Sequence, residues 1–405
     1  MANYDVTTAG ASLEFDTVNG QYNSCNGIDA THFINFWSGD GNDGYAQVFT
    51  INTTTWAVTT ANASLEFDTT SAVDNSCYKI DTNHFINFWG GVDSDGFVQV
   101  FTVNTTTWAV TTANASLEFD TVNGTQNKCY QIDSNHFVNF WRGTDLDGFV
   151  QVFTVSTSTW AVTTAADRLE FDTSACTGPS CYPVDTNHFI AFYGGATNDG
   201  YVDIFAINTS TWAVTTASSR LEFDTVHGTF NNCQPIDSTH FINTWIKVAT
   251  DTVMAQVFTV NTTTWAVTTA GEVFTIDTAP SSGNNSLEKI NGNNFLFFYD
   301  NDTDPGKATV LSVNTSTWAV TTAGTGIAFE TTAITYQSSY KIDTNHYVNF
   351  WDGADSDGFV QVFTVELPSA GGPANLKSYN TNLKANIKSI NTNVIANVKS
   401  LNTNI

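Results

Sequence analysis

The segment Trp-Ala-Val-Thr-Thr-Ala recurs with Trp56, Trp108, Trp160, Trp212, Trp265 and Trp318, at spacings of 52, 52, 52, 53 and 53 residues. A period of that size belongs to propeller blades or solenoid units, so the chain is written in copies of one supersecondary motif. The two ends separate those architectures. Tyr4-Asp-Val-Thr-Thr-Ala9 is the final strand of a unit with nothing ahead of it, and Phe359-Val-Gln-Val-Phe-Thr-Val365 ends a unit that lacks this strand. A solenoid would cap its ends with polar faces. One unit divided between the termini predicts a ring, closed when the opening segment pairs beside the Phe359 strand.

Within the second copy, Cys77 to Asp81, His84 to Trp89, Phe97 to Asn104 and Trp108 to Phe119 read as four strands, the last of them bent. They are rich in Val, Phe and Thr and are separated by Asn, Asp and Gly turns, the chemistry of antiparallel hairpins. The expected fold is therefore all-β: a closed seven-bladed β-propeller over residues 1–366, a Gly/Pro hinge over 367–374, and a tail over 375–405. In such a ring Trp89, Asp93, Asp95 and the joint near Asn123 share one face, while His84 and the Asn104 turn lie towards the other.

On this pattern the unit resembles the blades of seven-bladed propellers from bacterial and phage surface proteins and of propeller lectins. The Asn-Thr-Thr-Thr-Trp hairpin sits where sialidase-like propellers carry their Asp box, although the Asp and Gly of that box are absent. The resemblance implies the fold first and a glycan or surface receptor as ligand second.

Composition limits the partners. Lys and Arg number 13 against 39 Asp and Glu, a net charge of −26, so nucleic acid is an unsuitable partner because phosphate binding needs a basic footprint. No run approaches the length that inserts into a membrane. The opening residues show no Sec-type signal peptide, so display outside the cell, expected here at a virion surface or in the extracellular space, needs another route. Of six cysteines, Cys25, Cys77, Cys129, Cys181 and Cys233 share one repeat position and read as small packed thiols; Cys176 and Cys181 are a local disulfide candidate.

Comparison of the copies singles out a polar pair. Asn35 with Gln47, Asn87 with Gln99, Asn139 with Gln151, Asn243 with Gln256 and Asn349 with Gln361 are opposite each other if Trp89 faces Phe97. Ala191 with Asp203 and Phe297 with Thr309 replace the pair together, as two side chains that satisfy each other would. Trp37, Trp89, Trp141, Trp245 and Trp351 accompany the amides; Tyr193 and Tyr299 accompany their loss. An indole platform beside fixed amides is a common construction for small polar ligands, so Trp37, Asn35, Gln47, Trp89, Asn87, Gln99, Asp93, Asp95, Trp141, Asn139, Gln151, Trp351, Asn349 and Gln361 are the candidate ligand-binding residues. The alternative for the same set is a polar ladder with an aromatic wedge between blades.

No cofactor or metal is expected. The turns Asp93-Ser-Asp-Gly96, Asp145-Leu-Asp-Gly148 and Asp355-Ser-Asp-Gly358 offer only half the oxygens of a Ca2+ site. His32, His84, His136, His188, His240 and His346, one per unit, read as partners of the aspartate three residues before each. Arg142, Arg168 and Arg220 are scattered, and no nucleophile elbow is present. The reading is a non-catalytic protein with several similar pockets, gaining strength by avidity and anchored by its tail. The rivals are a decoration subunit without a small ligand and a glycan-degrading hydrolase, which would need an asymmetric cleft.

The tail repeats every 11 residues from Leu376, Ile387 and Val398. Its apolar stripe suits a nearly straight helical supercoil or an arc of β-turns, and a segment so short should dock on a protein partner or on a copy of itself.

Overall fold

Alternation of apolar residues on both faces of every strand forces each sheet between two others, and the chain meets this demand with seven antiparallel sheets. The structure is a computed structural model describing residues 4–247, 250, 252–278, 285–301 and 306–368. Residues 4–366 form one unit. The hinge and the tail, apart from Leu367 and Pro368, lie outside the described residues.

The innermost strands of blades one to seven are Gln21–Gly27, Val73–Lys79, Thr125–Gln131, Thr177–Pro183, Thr229–Pro235, Ser286–Asn291 and Thr335–Lys341. Each pairs outwards with a second, a third and an outer strand. In blade two these are His84–Gly90, Gly96–Val103, and an outer strand divided into Val110–Thr112 and Leu117–Asp120. The bend expected in the fourth strand is this division; blades five and six keep it continuous, as Val267–Asp277 and Val320–Ala328.

Closure takes the form the termini imply. Val6–Thr8 pairs antiparallel with the last strand, Val6 opposite Val365 and Thr8 opposite Phe363, and Leu13–Asp16 extends the same edge. The Glu366 amide donates to the Asp5 carbonyl at 2.8 Å. Between blades the core is repeated: Ile86, Phe88, Val98 and Val100 of blade two meet Cys129, Phe137, Phe153 and Val155 of blade three. Each buried Phe there is a site at which truncation to Ala costs about 3–5 kcal/mol.

The joints are tighter than the strand reading implied. The inner strand of blade three starts at Thr125 rather than Cys129, because its register slips between Thr125 and Lys128 and Gln126 takes a positive φ of 52°. The preceding turn needs glycine: a Cβ on Gly124 would lie 2.1 Å from the Gly96 Cα. In blade four Cys176 occupies that joint position, with its Cβ 3.1 Å from where a Cβ on Gly148 would stand. This packing replaces the disulfide expected with Cys181; both are free thiols.

A second set of bonds ties the outer turns together. His32, His84, His136, His188 and His240 each stack on the Trp of the next blade, Trp108, Trp160, Trp212, Trp265 and Trp318, at 3.6 to 3.7 Å between ring centroids, and His346 stacks on Trp56. The six tryptophans hold a positive φ of 57 to 60°, an uncommon state for a bulky residue that the stacking sustains. At the seam, blade six carries Asn294 and the incoming chain carries Tyr4, whose hydroxyl accepts from the Asn294 amide at 3.0 Å.

The seam should therefore govern stability. Val6 is 2 % exposed, and Val6→Asp places a charge in the last interface, so urea unfolding should show a loss of about 3 kcal/mol or more. A change below about 0.5 kcal/mol would show that the ring does not depend on this strand.

Candidate functional site

The residues singled out from the copies are taken up by internal bonds instead of lining open pockets: the amides bond within their own blade and the indoles bond to the blade before. Asn87 is opposite Gln99 in the ladder as expected, but the two do not satisfy one another. The Asn87 amide donates to Asn75 Oδ1 at 2.8 Å, and Gln99 donates to the Asn114 carbonyl at the break in the outer strand. Asn35, Asn139 and Asn243 repeat the first bond, to Asn23, Asn127 and Asn231; Asn349 turns to Gln337. Gln47, Gln151 and Gln361 repeat the second, to the carbonyls of Asn62, Ala166 and Gly10.

The indoles are equally enclosed. Trp37, Trp89, Trp141 and Trp351 are at most 2 % exposed. Trp37, Trp89, Trp141 and Trp245 donate Nε1 to Asp16, Asp68, Asp120 and Asp224 at 2.9 to 3.1 Å. In blade four Tyr193 donates instead to Asp203 at 2.7 Å, which explains why aromatic and amide change together. These side chains leave no platform for a ligand. Asp93 and Asp95 stand in a tight turn, with Asp93 at a φ of 55°. Among the described residues no three His, Cys, Asp or Glu side chains gather as a metal site would need.

What the structure brings together is the axis. The seven inner strands enclose a channel of about 560 Å³, a volume that suits a small ligand. Three tiers of side chains line it. At the first face stand Tyr22, Asp74, Gln126, Gly178, Phe230 and Tyr336, all in the left-handed bulge. In the middle are Ser24, Ser76, Lys128, Ser180, Asn232, Ser286 and Ser338. Asn26, Tyr78, Tyr130, Tyr182, Gln234, Glu288 and Tyr340 form the third tier, towards the second face.

The middle tier binds the blades. Ser24, Ser76, Ser180 and Ser338 accept from the amides of Cys77, Cys129, Cys233 and Cys25 at 2.9 to 3.0 Å. Lys128 interrupts this ring and puts an ammonium into the channel. The cysteines behind are poor nucleophiles: burial pushes the Cys129 and Cys233 thiols up to about 11, and reactivity belongs to the thiolate.

Electrostatics mark one carboxyl. Depth within the ring pushes Glu288 up to about 8, although the charges of Lys128 and Lys341 and a hydrogen bond from Ser339 oppose the shift. Glu288 thus exchanges its proton near neutrality, as acid–base groups must. Burial also raises Asp74, which accepts the Gln126 amide at 2.9 Å. On the same mouth Tyr22 and Tyr336 lie 3.9 Å apart between ring centroids. Neither the sequence pattern nor the shared motif pointed here, because these positions differ from copy to copy.

No protein-family model and no curated relative matches the sequence. Solved structures do. The periplasmic gluconolactonase of Pseudomonas aeruginosa is similar with a TM-score of 0.58 at 12 % identity, over 78 % of this chain and 87 % of that one. A Bacteroides fragilis protein assigned as a 6-phosphogluconolactonase gives 0.55 at 12 %, over 85 % and 98 %. Sqt1 of Chaetomium thermophilum gives 0.57 at 12 %, over 91 % and 87 %. At such identity the likeness shows the propeller fold. Lactonases among these neighbours, where phage surface proteins and lectins were expected, correct the reading of a non-catalytic receptor- or glycan-binding protein. A ring of similar blades is no argument against catalysis, and the asymmetry missing from the repeat is present on the axis.

The titrating groups of the ring act with opposite signs. Burial alone would raise Asp29, Asp81, Asp133, Asp185, Asp237 and Asp343, but the backbone amides that follow and the His rings outweigh it and hold these carboxyls below the usual range. Their contribution is whole above the unfolded value of about 3.9 and is lost as pH falls through the folded ones. Glu288, raised on folding, loses its contribution as pH climbs towards about 8. Thermal midpoints should drop steeply below about pH 4, and Glu288→Gln should raise the midpoint at pH 9 while leaving it unchanged below pH 4, where the native carboxyl is also neutral. An equal effect of Glu288→Gln at both pH values would contradict this assignment.

Proposed function

We propose that the axial channel hydrolyses a small, hydroxyl-rich lactone, with Glu288 as general base and Lys128 as the cation that polarises the acyl oxygen. The observation carrying this is where the seven copies part company. Their buried positions repeat closely, whereas the axis holds a different residue set from each blade, including one carboxyl that titrates near neutrality. A structural ring needs no such divergence. The likeness to the Pseudomonas gluconolactonase supports the choice of a lactone.

The step is balanced by water alone. The Glu288 carboxylate takes a proton from water as the water oxygen bonds to the acyl carbon. The carbonyl electrons move to the oxygen, where the Lys128 ammonium offsets the developing charge. The ring C–O bond then breaks, and Glu288 returns the proton to the departing alkoxide, leaving a hydroxy acid. The amides of Gln126, Asn232 and Gln234 and the phenols of the third tier offer partners for hydroxyl groups.

Gluconolactone is the first substrate to test, with acid release followed against the buffer rate. The kcat/KM should rise with pH through an apparent value of about 8, and Glu288→Gln should lose roughly 10²- to 10⁴-fold. Hydrolysis no faster than buffer across a panel of sugar lactones, or full activity in the Gln variant, would defeat the proposal.

A further inference from the structure

The ring contains nine Lys and Arg between residues 4 and 366, and they divide by position. Arg168, Arg220, Lys247 and Lys307 lie on the outer part of the blades, each paired with a carboxylate: Asp120 at 2.6 Å, Asp172 at 2.7 Å, Asp224 at 3.1 Å and Asp277 at 3.2 Å. The other five are near the axis, and among the described residues none of them forms an ion pair. Lys79, Lys289 and Lys341 give their ammonium groups to the backbone carbonyls of Ile28, Ile236 and Ile290 in the preceding blade. Lys128 belongs to the middle tier. That leaves Arg142.

Arg142 ends the second strand of blade three and lines the first-face mouth. The copies carry Ser38, Gly90, Gly194, Ile246, Asp300 and Asp352 at this place, so the guanidinium is peculiar to one blade. Its Nε is buried with no hydrogen-bond partner. Asp74 shares the mouth but bonds to the Gln126 amide instead, and Asp352 is held by the amide and hydroxyl of Thr335. Tyr22, Tyr336 and Phe230 supply an aromatic wall to the same rim. An unpaired buried donor is costly, and a guanidinium fork matches a planar or tetrahedral oxyanion with two parallel bonds.

We infer that the substrate carries an anionic group, a carboxylate or a phosphate, remote from its reacting carbonyl, and that Arg142 holds it at the first-face mouth. The inference rests on the axial channel being the reaction site, and it adds the substrate's charge and the residue that selects it. In a chain of net charge −26, long-range attraction of an anion is weak, so selection must come from contact inside the mouth and should persist at moderate salt.

Binding without turnover separates this claim from lactone hydrolysis. Calorimetric titration of the full chain with gluconate, glucose 6-phosphate and glucose, at low and moderate salt, should show at least one anion binding ten-fold or more tightly than glucose. Preference for gluconate identifies a carboxylate, and preference for glucose 6-phosphate a phosphate. Arg142→Gln should remove that preference while leaving glucose unchanged, Arg142→Lys should keep part of it, and Lys307→Gln, on the outer rim, should keep all of it. Equal binding of anions and glucose by the wild type, or an undiminished preference in Arg142→Gln, would overturn the inference. Lactonase activity with no anion preference would overturn it alone. Anion preference without activity would overturn only the hydrolytic mechanism.

Discussion

A four-stranded sheet that is apolar on both faces cannot be buried alone, and in this molecule everything follows from that. Each blade needs two neighbours, so seven blades need seven interfaces, and the seventh exists only because residues 6–8 cross to the strand that ends at Val365. Six interfaces use a His stacked on a Trp at the outer turn. The seventh, between blade six and the incoming terminus, uses Asn294 and the Tyr4 hydroxyl. The substitution keeps the blades in contact where a histidine and an indole are both absent.

Polar groups then fix how neighbouring blades are aligned. Aspartate to indole and serine to cysteine amide bonds recur between blades at different distances from the axis, asparagine to asparagine bonds brace single blades from within, and most of them are closed to water. Buried donors left unpaired would cost more than their bonds contribute, and changes in one copy are matched nearby in blade four. Tyr193 finds Asp203, while Arg220 takes Asp172. The paired disappearance of amides and indoles reflects this matching: in blade four the replacing aromatic and the replacing carboxylate bond directly to each other.

Much of the fold was legible in the chain. The Trp-Ala-Val period counts the blades, the divided unit announces closure, and the Asp and Gly turns place Asp93 beside the joint, where the Gly124 amide does reach the Ser94 carbonyl. The aspartate partners of the histidines were also readable, from three-residue spacing. Their tryptophan partners were not, because the stacked rings belong to different copies. The site was hidden for a structural reason. A bulge shortens the joints into blades one to five and seven and turns Tyr22, Asp74 and Gln126 into the axis, whereas in linear order they look like the variable end of a loop. Reading the copies for what they share drew attention to buried bonds; the axial chemistry lay in what they do not share.

The left-handed bulge at the start of the inner strands of blades one to five and seven has a wider consequence. It accepts Tyr, Asp, Gln, Gly and Phe with the same backbone, so its side chain stands outside the apolar wedge between adjacent blades, and Asp74 and Gln126 reach the next blade only through a backbone amide. Apart from Gly178, where a Cβ would stand 2.7 Å from the Phe230 backbone nitrogen, substitution at these rim positions can alter the chemistry of the bore without repacking the torus. Such a scaffold can acquire a new specificity one residue at a time, with the hydrophobic frame left undisturbed at every step.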